Sequence, residues 1–475
     1  MPRTGLKRWS GALGYYLFTG LLVSGLAFIN QYPLVYSDTG AYLENAFSLS
    51  PYDDRPIGYG LIIRAFSWQS TLWPVVIFQG LMASWLLMLL VREVIPDKGR
   101  WITVHLFLLA LLILSSSLPW YAAQLMADIY TPFVLLIAFL LFRGRLLGPV
   151  RETVLWLLLF FFLATHNSHL PMAAVLSGLI LVRHLWKTGA SARNRFRDQR
   201  HFWFRWGTFN LVALGAAGMV SSFNYAAHGH FQLSRAGNVF LVGRLCEPGI
   251  VADYMRTACE HGHNPFCAYK DHLPADAGDL LWSPDQFVQK EGLTIGQADS
   301  ILAPMVGDIL SRPEYLARFA RSSLTSTFVQ LFQWEAGGGL HAYAEDTSPH
   351  YSVARKLKDE RYRYDHARQQ WGYWADWERA NRFGGIALLL SVLVLALLWF
   401  RPRRPALEKL YSLSYWVVTW VVLNAFVTAT FAIVDPRLQS RVMWLLPLCA
   451  FLIIVRSGPI KAYLQNGSPE AEKPV

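Results

Sequence analysis

Charge is what this chain has least of. Only 16% of its 475 residues are Asp, Glu, Lys or Arg, against 53% hydrophobic and 15% aromatic. That balance is too apolar for a soluble protein of this length and points to a polytopic membrane protein. Cysteine is scarce too, with Cys246, Cys259, Cys267 and Cys449 making up the set. Their irregular spacing matches no common zinc pattern, even with His261, His263 and His272 close by in sequence. No internal repeat is present. No small-residue cleavage site follows the apolar run within residues 1–30, so that run is read as a retained first helix and not as a signal peptide.

A membrane span needs about 20 apolar residues. Ten candidate spans can be read, at 11–30, 73–91, 102–119, 129–142, 153–165, 170–182, 207–223, 384–400, 411–434 and 442–455. The expected fold is therefore an all-α polytopic membrane protein with a mainly helical external domain. The fifth and sixth spans are short and separated only by His166-Asn167-Ser168-His169, so two spans or one re-entrant hairpin both fit. Lys and Arg crowd into one alternate set of loops, from Arg3, Lys7 and Arg8 through Arg401, Arg403 and Arg404 to Arg456 and Lys461. The other short loops hold Arg55, Arg64, Arg437 and Arg441. By the positive-inside trend both termini are expected in the cytoplasm, with the protein in the inner (plasma) membrane.

This topology divides the chain into a membrane block at 1–223 with its first external loop at 31–72, an external domain at 224–382, a second membrane block at 383–456 and a tail at 457–475. The external domain carries 16 Lys/Arg against 19 Asp/Glu, a net −3, which leaves +14 for the rest of a chain whose total is +11. The basic excess thus belongs to the cytoplasmic face, suits an anionic leaflet and gives no reason to invoke nucleic acid. Within the external domain, 238–245 (NVFLVGRL) has a strand-like or buried look. The segments 248–261, 296–311 and 313–334 read as helices. An oxidising compartment favours a Cys259–Cys267 disulfide that leaves Cys246 free.

Against this apolar background, the charges at the outer ends of spans stand out. The first external loop, YSDTGAYLENAFSLSPYDDRPIGYG, carries Asp38 just beyond a span and Asp53, Asp54, Arg55 and Tyr59 further on. Asp38 can be a helix N-cap before Thr39-Gly40-Ala41, or a general base or metal ligand that faces a substrate. Asp53 and Asp54 can be a solvated turn before Pro56, or a carboxylate pair beside a phosphate-gripping Arg55. Asp128 opens the span after the second external loop and admits the same two readings, cap or site. His166 and His169 stand three apart, either as hydrogen-bonded interior histidines or as a pair facing a cavity. Arg437 and Arg441 follow Asp435-Pro436 in the last external turn, against the positive-inside trend. They either pair with Asp435 or hold a lipid-linked phosphate.

Taken together, these loops resemble the GT-C superfamily, the membrane glycosyltransferases that use polyprenyl-phosphate-linked sugars. The resemblance rests on Asp38 followed by Arg55-Pro56-Ile57-Gly58-Tyr59, on Asp128 within ADIYTPFVLL, and on Asp435-Pro436-Arg437 with Arg441 running into a span that contains Pro447. It implies sugar transfer to an envelope glycan, lipid or protein acceptor on the external face. Asp38 would be the catalytic base, assisted by Asp128. Asp53, Asp54, Arg55, Tyr59, His166, His169, Arg437 and Arg441 would contact substrate. A divalent cation, Mg or Mn, would sit on Asp38 and Asp128. The chain departs from the family's pattern in two respects: no adjacent acidic pair stands at Asp38, and the large domain is inserted between membrane blocks instead of appended. The competing expectations are a non-enzymatic component of envelope polysaccharide assembly (a transporter or polymerase partner) and a membrane acyl or phosphoethanolamine transferase. The latter would need a nucleophile or dense metal ligands that this sequence does not supply.

Overall fold

The computed structural model describes residues 3–144, 146–188, 199–261, 264–372, 375–400 and 402–457. Among the described residues all regular structure is helical, with two isolated bridges, Leu34–Gln124 and Tyr52–Arg55. The first ten α-helices are α1 (Arg3–Val23), α2 (Gly25–Asn30), α3 (Thr39–Ser48), α4 (Ile57–Ser67), α5 (Trp73–Val94), α6 (Trp101–Ser115), α7 (Leu118–Ala123), α8 (Tyr130–Arg143), α9 (Pro149–Leu163) and α10 (His169–Thr188).

Six helices among the described residues are long and apolar enough to cross a membrane: Trp73–Val94, Lys98–Ser115, His169–Trp186, Trp377–Phe400, Pro405–Phe431 and Pro436–Ser457. The protein is a membrane protein by this measure. The four other expected spans fare differently, for physical reasons. The 11–30 run breaks at Ser24 into α1 and α2. The 129–142 run forms α8, whose 14 residues reach about 21 Å at 1.5 Å per residue, short of a hydrocarbon core of about 30 Å. Nearly all of α8 is buried by protein, so its apolarity serves the core. The 153–165 run forms α9, of 15 residues, joined to α10 by a short turn. The 207–223 run lies inside a longer and more polar helix, Arg200–His228. By contrast, Trp377–Phe400 exposes Phe383, Ile386, Leu389, Leu393, Leu397 and Phe400, a surface that water would penalise and lipid would not.

Small residues set the closest helix contact in the bundle. The Gly80 backbone of α5 lies so near α1 that a Cβ there would sit 2.2 Å from Ser24 Oγ and 2.3 Å from the Gly20 carbonyl. Ser24 Oγ donates to Val76 O at 2.7 Å, and Thr19 Oγ1 meets Ser84 Oγ at 2.7 Å. Close backbone approach with polar side chains bridging it is the packing mode expected of helices in lipid.

The inserted segment 224–382 divides into two parts. Residues from Val239 to Phe319 surround a core of their own. Leu340, Tyr343, Val353, Leu357, Tyr364 and Ala367 instead join the main core of the bundle. Hydrogen bonds explain the second part's allegiance. Buried Glu360 accepts from Tyr32 Oη, Thr71 Oγ1 and the Leu72 N–H. Gln369 bonds both the N–H and the carbonyl of Val35.

In the first part, the 238–245 run is a helix, Gly237–Cys246. A continuous apolar run cannot by its pattern be told from a buried helix. Here Asp299 accepts from the N–H groups of Asn238 and Val239 and so caps the helix start, while Val239, Val242 and Leu245 bury one face. The 248–261, 296–311 and 313–334 helices are present as Ile250–His261, Ile295–Ser311 and Pro313–Leu331. The second of these opens on a Thr294/Gln297 capping box. Cys259 and Cys267 are disulfide-bonded, with Cα atoms 5.7 Å apart, and Cys246 and Cys449 are free.

Candidate functional site

Asp38 precedes α3, but its side chain makes no capping hydrogen bond. Thr39 anchors this turn instead: its hydroxyl accepts the Tyr36 N–H at 2.8 Å and donates to Leu125 O at 3.2 Å. The Asp38 carboxylate is left to face two arginines. Arg55 Nη2 lies 2.7 Å from Oδ1 and Arg437 Nη1 lies 2.8 Å from Oδ2. Burial alone would raise the Asp38 pKa, yet the Arg55 and Arg437 guanidiniums override it and hold the carboxyl well below the usual carboxylate range.

Each arginine is positioned by its own local structure. Asn45 of α3 accepts the Tyr52 N–H and donates to the Arg55 carbonyl, which stitches the 52–55 loop onto the helix. Arg55 also donates to Asp54 Oδ2 at 2.7 Å. Burial nevertheless lifts Asp54 above its ordinary range, since Arg55 offsets only part of that cost. Arg437 lies on the Pro436–Met443 helix. The start of this helix is fixed by Asp435, whose carboxylate accepts the Arg437 N–H, and by Gln330, which bonds both backbone groups of Asp435. Asp435 therefore caps the backbone and leaves both arginine side chains for other partners. The Arg437 guanidinium stacks 4.3 Å over the Tyr36 ring.

Four residues on, the same helix face presents Arg441. Its side chain is 0% exposed and its partner Asp128 1% exposed, with Nη1 and Oδ1 3.0 Å apart. Arg441 also reaches Asn424 Oδ1, Ser168 Oγ and His166 Nε2. An arginine only donates, so the His166 nitrogen it faces is unprotonated. Burial and the Arg441 charge together hold the His166 pKa well below its ordinary value. His169 is a hydrogen-bonded interior histidine: it contacts Phe162 O at 2.7 Å and Thr131 Oγ1 at 2.8 Å. Asp128 Oδ2 and Arg437 Nε are buried without a hydrogen-bond partner among the described residues.

Two residues of the first-loop motif have clear packing roles. Gly58 donates its N–H to Ala164 O at 3.2 Å, and a Cβ there would lie 2.3 Å from that oxygen, so only glycine lets α4 seat against the loop that carries His166. Tyr59 is buried among Tyr42 and Tyr130 and bonds Gln79. Asp53 pairs with the inserted segment and not with the Asp38 cluster. Its carboxylate meets Arg235 Nη1 at 2.8 Å and the Gly296 N–H at 2.8 Å, which ties the loop to the start of the Ile295–Ser311 helix.

Asp38, Glu44, Tyr52, Asp53, Asp54 and Arg55 line an open cavity of about 810 Å³, together with Trp282, Gln289, Leu293 and Thr294 of the inserted segment. Asp128, Arg441, His166 and Arg437 do not line it. Arg437 touches it only through Asp38. The wall residues of the inserted segment escaped the sequence reading because they lie more than 200 positions from Asp38. Asn424 could have been found, since a lone amide within the apolar run WVVLNAFV is costly in lipid without a partner.

The residues expected to hold a divalent cation do not form a donor set for one. Both Asp38 oxygens and one Asp128 oxygen are already bridged to guanidiniums, and no group of three His, Cys, Asp or Glu side chains among the described residues converges on a common point. What the arrangement offers is a carboxylate and the Arg55 guanidinium on the wall of a ligand-sized cavity, with Arg437 bridged to Asp38 from outside the lining. Comparison with known proteins found no family model, no curated protein and no solved structure that matches this chain.

Proposed function

We propose that the chain is a membrane glycosyltransferase that moves a sugar from a polyprenyl-phosphate donor to an envelope glycan, lipid or protein acceptor, with Asp38 as the base. One observation carries the reading: Asp38 and Arg55 sit together on the wall of an 810 Å³ cavity, with Arg437 directly behind Asp38. In the proposed step Asp38 takes the proton of an acceptor hydroxyl, and the acceptor oxygen bonds to the anomeric carbon. The bond from that carbon to the phosphate oxygen breaks, and its electron pair leaves with the polyprenyl phosphate. Guanidiniums stabilise the departing anion in a site shielded from water.

The test is transfer from a panel of polyprenyl-phosphate sugars by the purified full-length protein, wild type beside Asp38→Asn. Turnover by the wild type with a loss in the variant supports the reading; full activity in Asp38→Asn removes Asp38 from the chemistry. A second reading, a non-enzymatic component of polysaccharide assembly, is favoured by the double arginine bridge, because a carboxylate so held is a weak base. Absence of turnover with every donor selects that reading.

A further inference from the structure

Asp38 occupies the place an anionic ligand would take. Two guanidiniums from distant parts of the chain converge on its two oxygens at 2.7 and 2.8 Å. Each arginine keeps a second tether that does not involve Asp38: Arg55 donates to Asp54, and Arg437 stacks on Tyr36. Both would therefore stay in position if the carboxylate turned away. Arg437 Nε is a spare buried donor. The side chains of Asp38, Arg55 and Arg437 are 15%, 17% and 13% exposed, so the cluster can be reached, unlike the sealed Arg441. Planar forks of this kind suit phosphate oxygens as well as carboxylates.

We propose that Arg55 and Arg437 form the receptor for a lipid-linked phosphate, and that the phosphate binds by exchange: the two guanidiniums release Asp38 and take the phosphate oxygens. This rests on the glycosyl-transfer reading and adds an order to it. Before the donor binds, Asp38 stands in for the phosphate, held by both guanidiniums. Donor binding turns the carboxylate into the cavity, where an acceptor hydroxyl can meet it. Arg441 has no share in this, because its donors are spent on Asp128, Asn424, Ser168 and His166.

Competition gives the proposal an unusual signature, since removing the presumed base should improve binding. Farnesyl phosphate, added to full-length protein in detergent, is the probe, with inorganic phosphate run in parallel. Asp38→Asn should bind farnesyl phosphate at least about tenfold more tightly than wild type, the worth of a charge-assisted hydrogen bond that no longer has to be broken. Asp54→Asn removes the tether that holds Arg55 in place and should weaken binding. Arg55→Gln and Arg437→Gln should each weaken it. If Asp38→Asn does not yield monodisperse protein, Asp38→Ser decides, and an affinity there no tighter than wild type overturns the exchange. Equal or weaker binding by Asp38→Asn, with both arginine variants also weakened, overturns the exchange but leaves the phosphate site standing. Failure of the wild type and of every variant to bind farnesyl phosphate overturns the lipid-phosphate reading itself. The same gain with inorganic phosphate, at equal affinity, would overturn the lipid assignment in favour of a soluble phosphate.

Discussion

Two aspartate–arginine pairs stand on one helix face, four residues apart, and only burial separates them. Arg441 and Asp128 are sealed from solvent and surrounded by Asn424, Ser168 and His166. Arg437 and Asp38 keep partial access, share a second arginine and border a cavity. In sequence the four residues look alike: isolated charges at the ends of apolar runs. In the fold one pair behaves as a rivet and the other has the makings of a site. A charge at a span end therefore acquires meaning only from what closes around it.

The contrast can be broken most directly at Arg441. Removing one partner of a sealed ion pair leaves a buried charge uncompensated, so Arg441→Met should cost about 3–5 kcal/mol, read as lost thermal stability in detergent. Adding Asp128→Asn should recover part of it. A single variant that melts like the wild type would erase the distinction between the pairs. Next in size is Asp38→Asn, for which transfer should fall by about 10²–10⁴-fold if the carboxylate serves as base. Its melting temperature should drop less than that of Arg441→Met.

Acid sharpens the comparison further. Asp38 has its folded pKa held below the ordinary value, so its pairing stabilises the fold above an unfolded pKa of about 3.9 and loses that contribution as pH falls through the lowered folded value. Melting curves of the wild type should therefore steepen in their decline below about pH 4, and Asp38→Asn should remove that part of the decline. The smallest expected effect belongs to Asp53→Ala. It leaves Arg235 and the Gly296 N–H without their shared acceptor, at a cost of about 1–3 kcal/mol. Hydrogen exchange should show the change as looser protection at the start of the Ile295–Ser311 helix, with Asp38 undisturbed.

Much of this could be read from the chain before folding. The outward-lying charges were visible because an apolar background makes each one costly. The Ile295–Ser311 and Pro313–Leu331 helices followed from first-turn chemistry, whereas the Cys259–Cys267 pairing was favoured only by an oxidising compartment, connectivity not being decidable from sequence. What stayed hidden has a common physical cause. Hydropathy responds to an apolar run without knowing whether lipid or protein will cover it, so it does not distinguish the short, buried α8 from the six longer candidate spans. Arg55 was expected to grip a phosphate, and nothing local revealed that it pairs with Asp38 beside Arg437. The split of residues 224–382 between two cores depends on Glu360 and Gln369, whose partners lie near the opposite end of the chain.

The bridge between Asp38 and Arg437 spans 399 positions, and it bears on how the molecule is made. A ribosome delivers the first loop long before the helix that completes it. Until residue 437 arrives, the Asp38 carboxylate has at most Arg55 for company, and Val35 waits for Gln369. The first loop must therefore remain hydrated or chaperoned through most of synthesis, and the Asp38–Arg437 bridge is among the last contacts to form. Truncated chains that end before the final span should accordingly be poor substrates for quality control to release, however well their early helices have inserted.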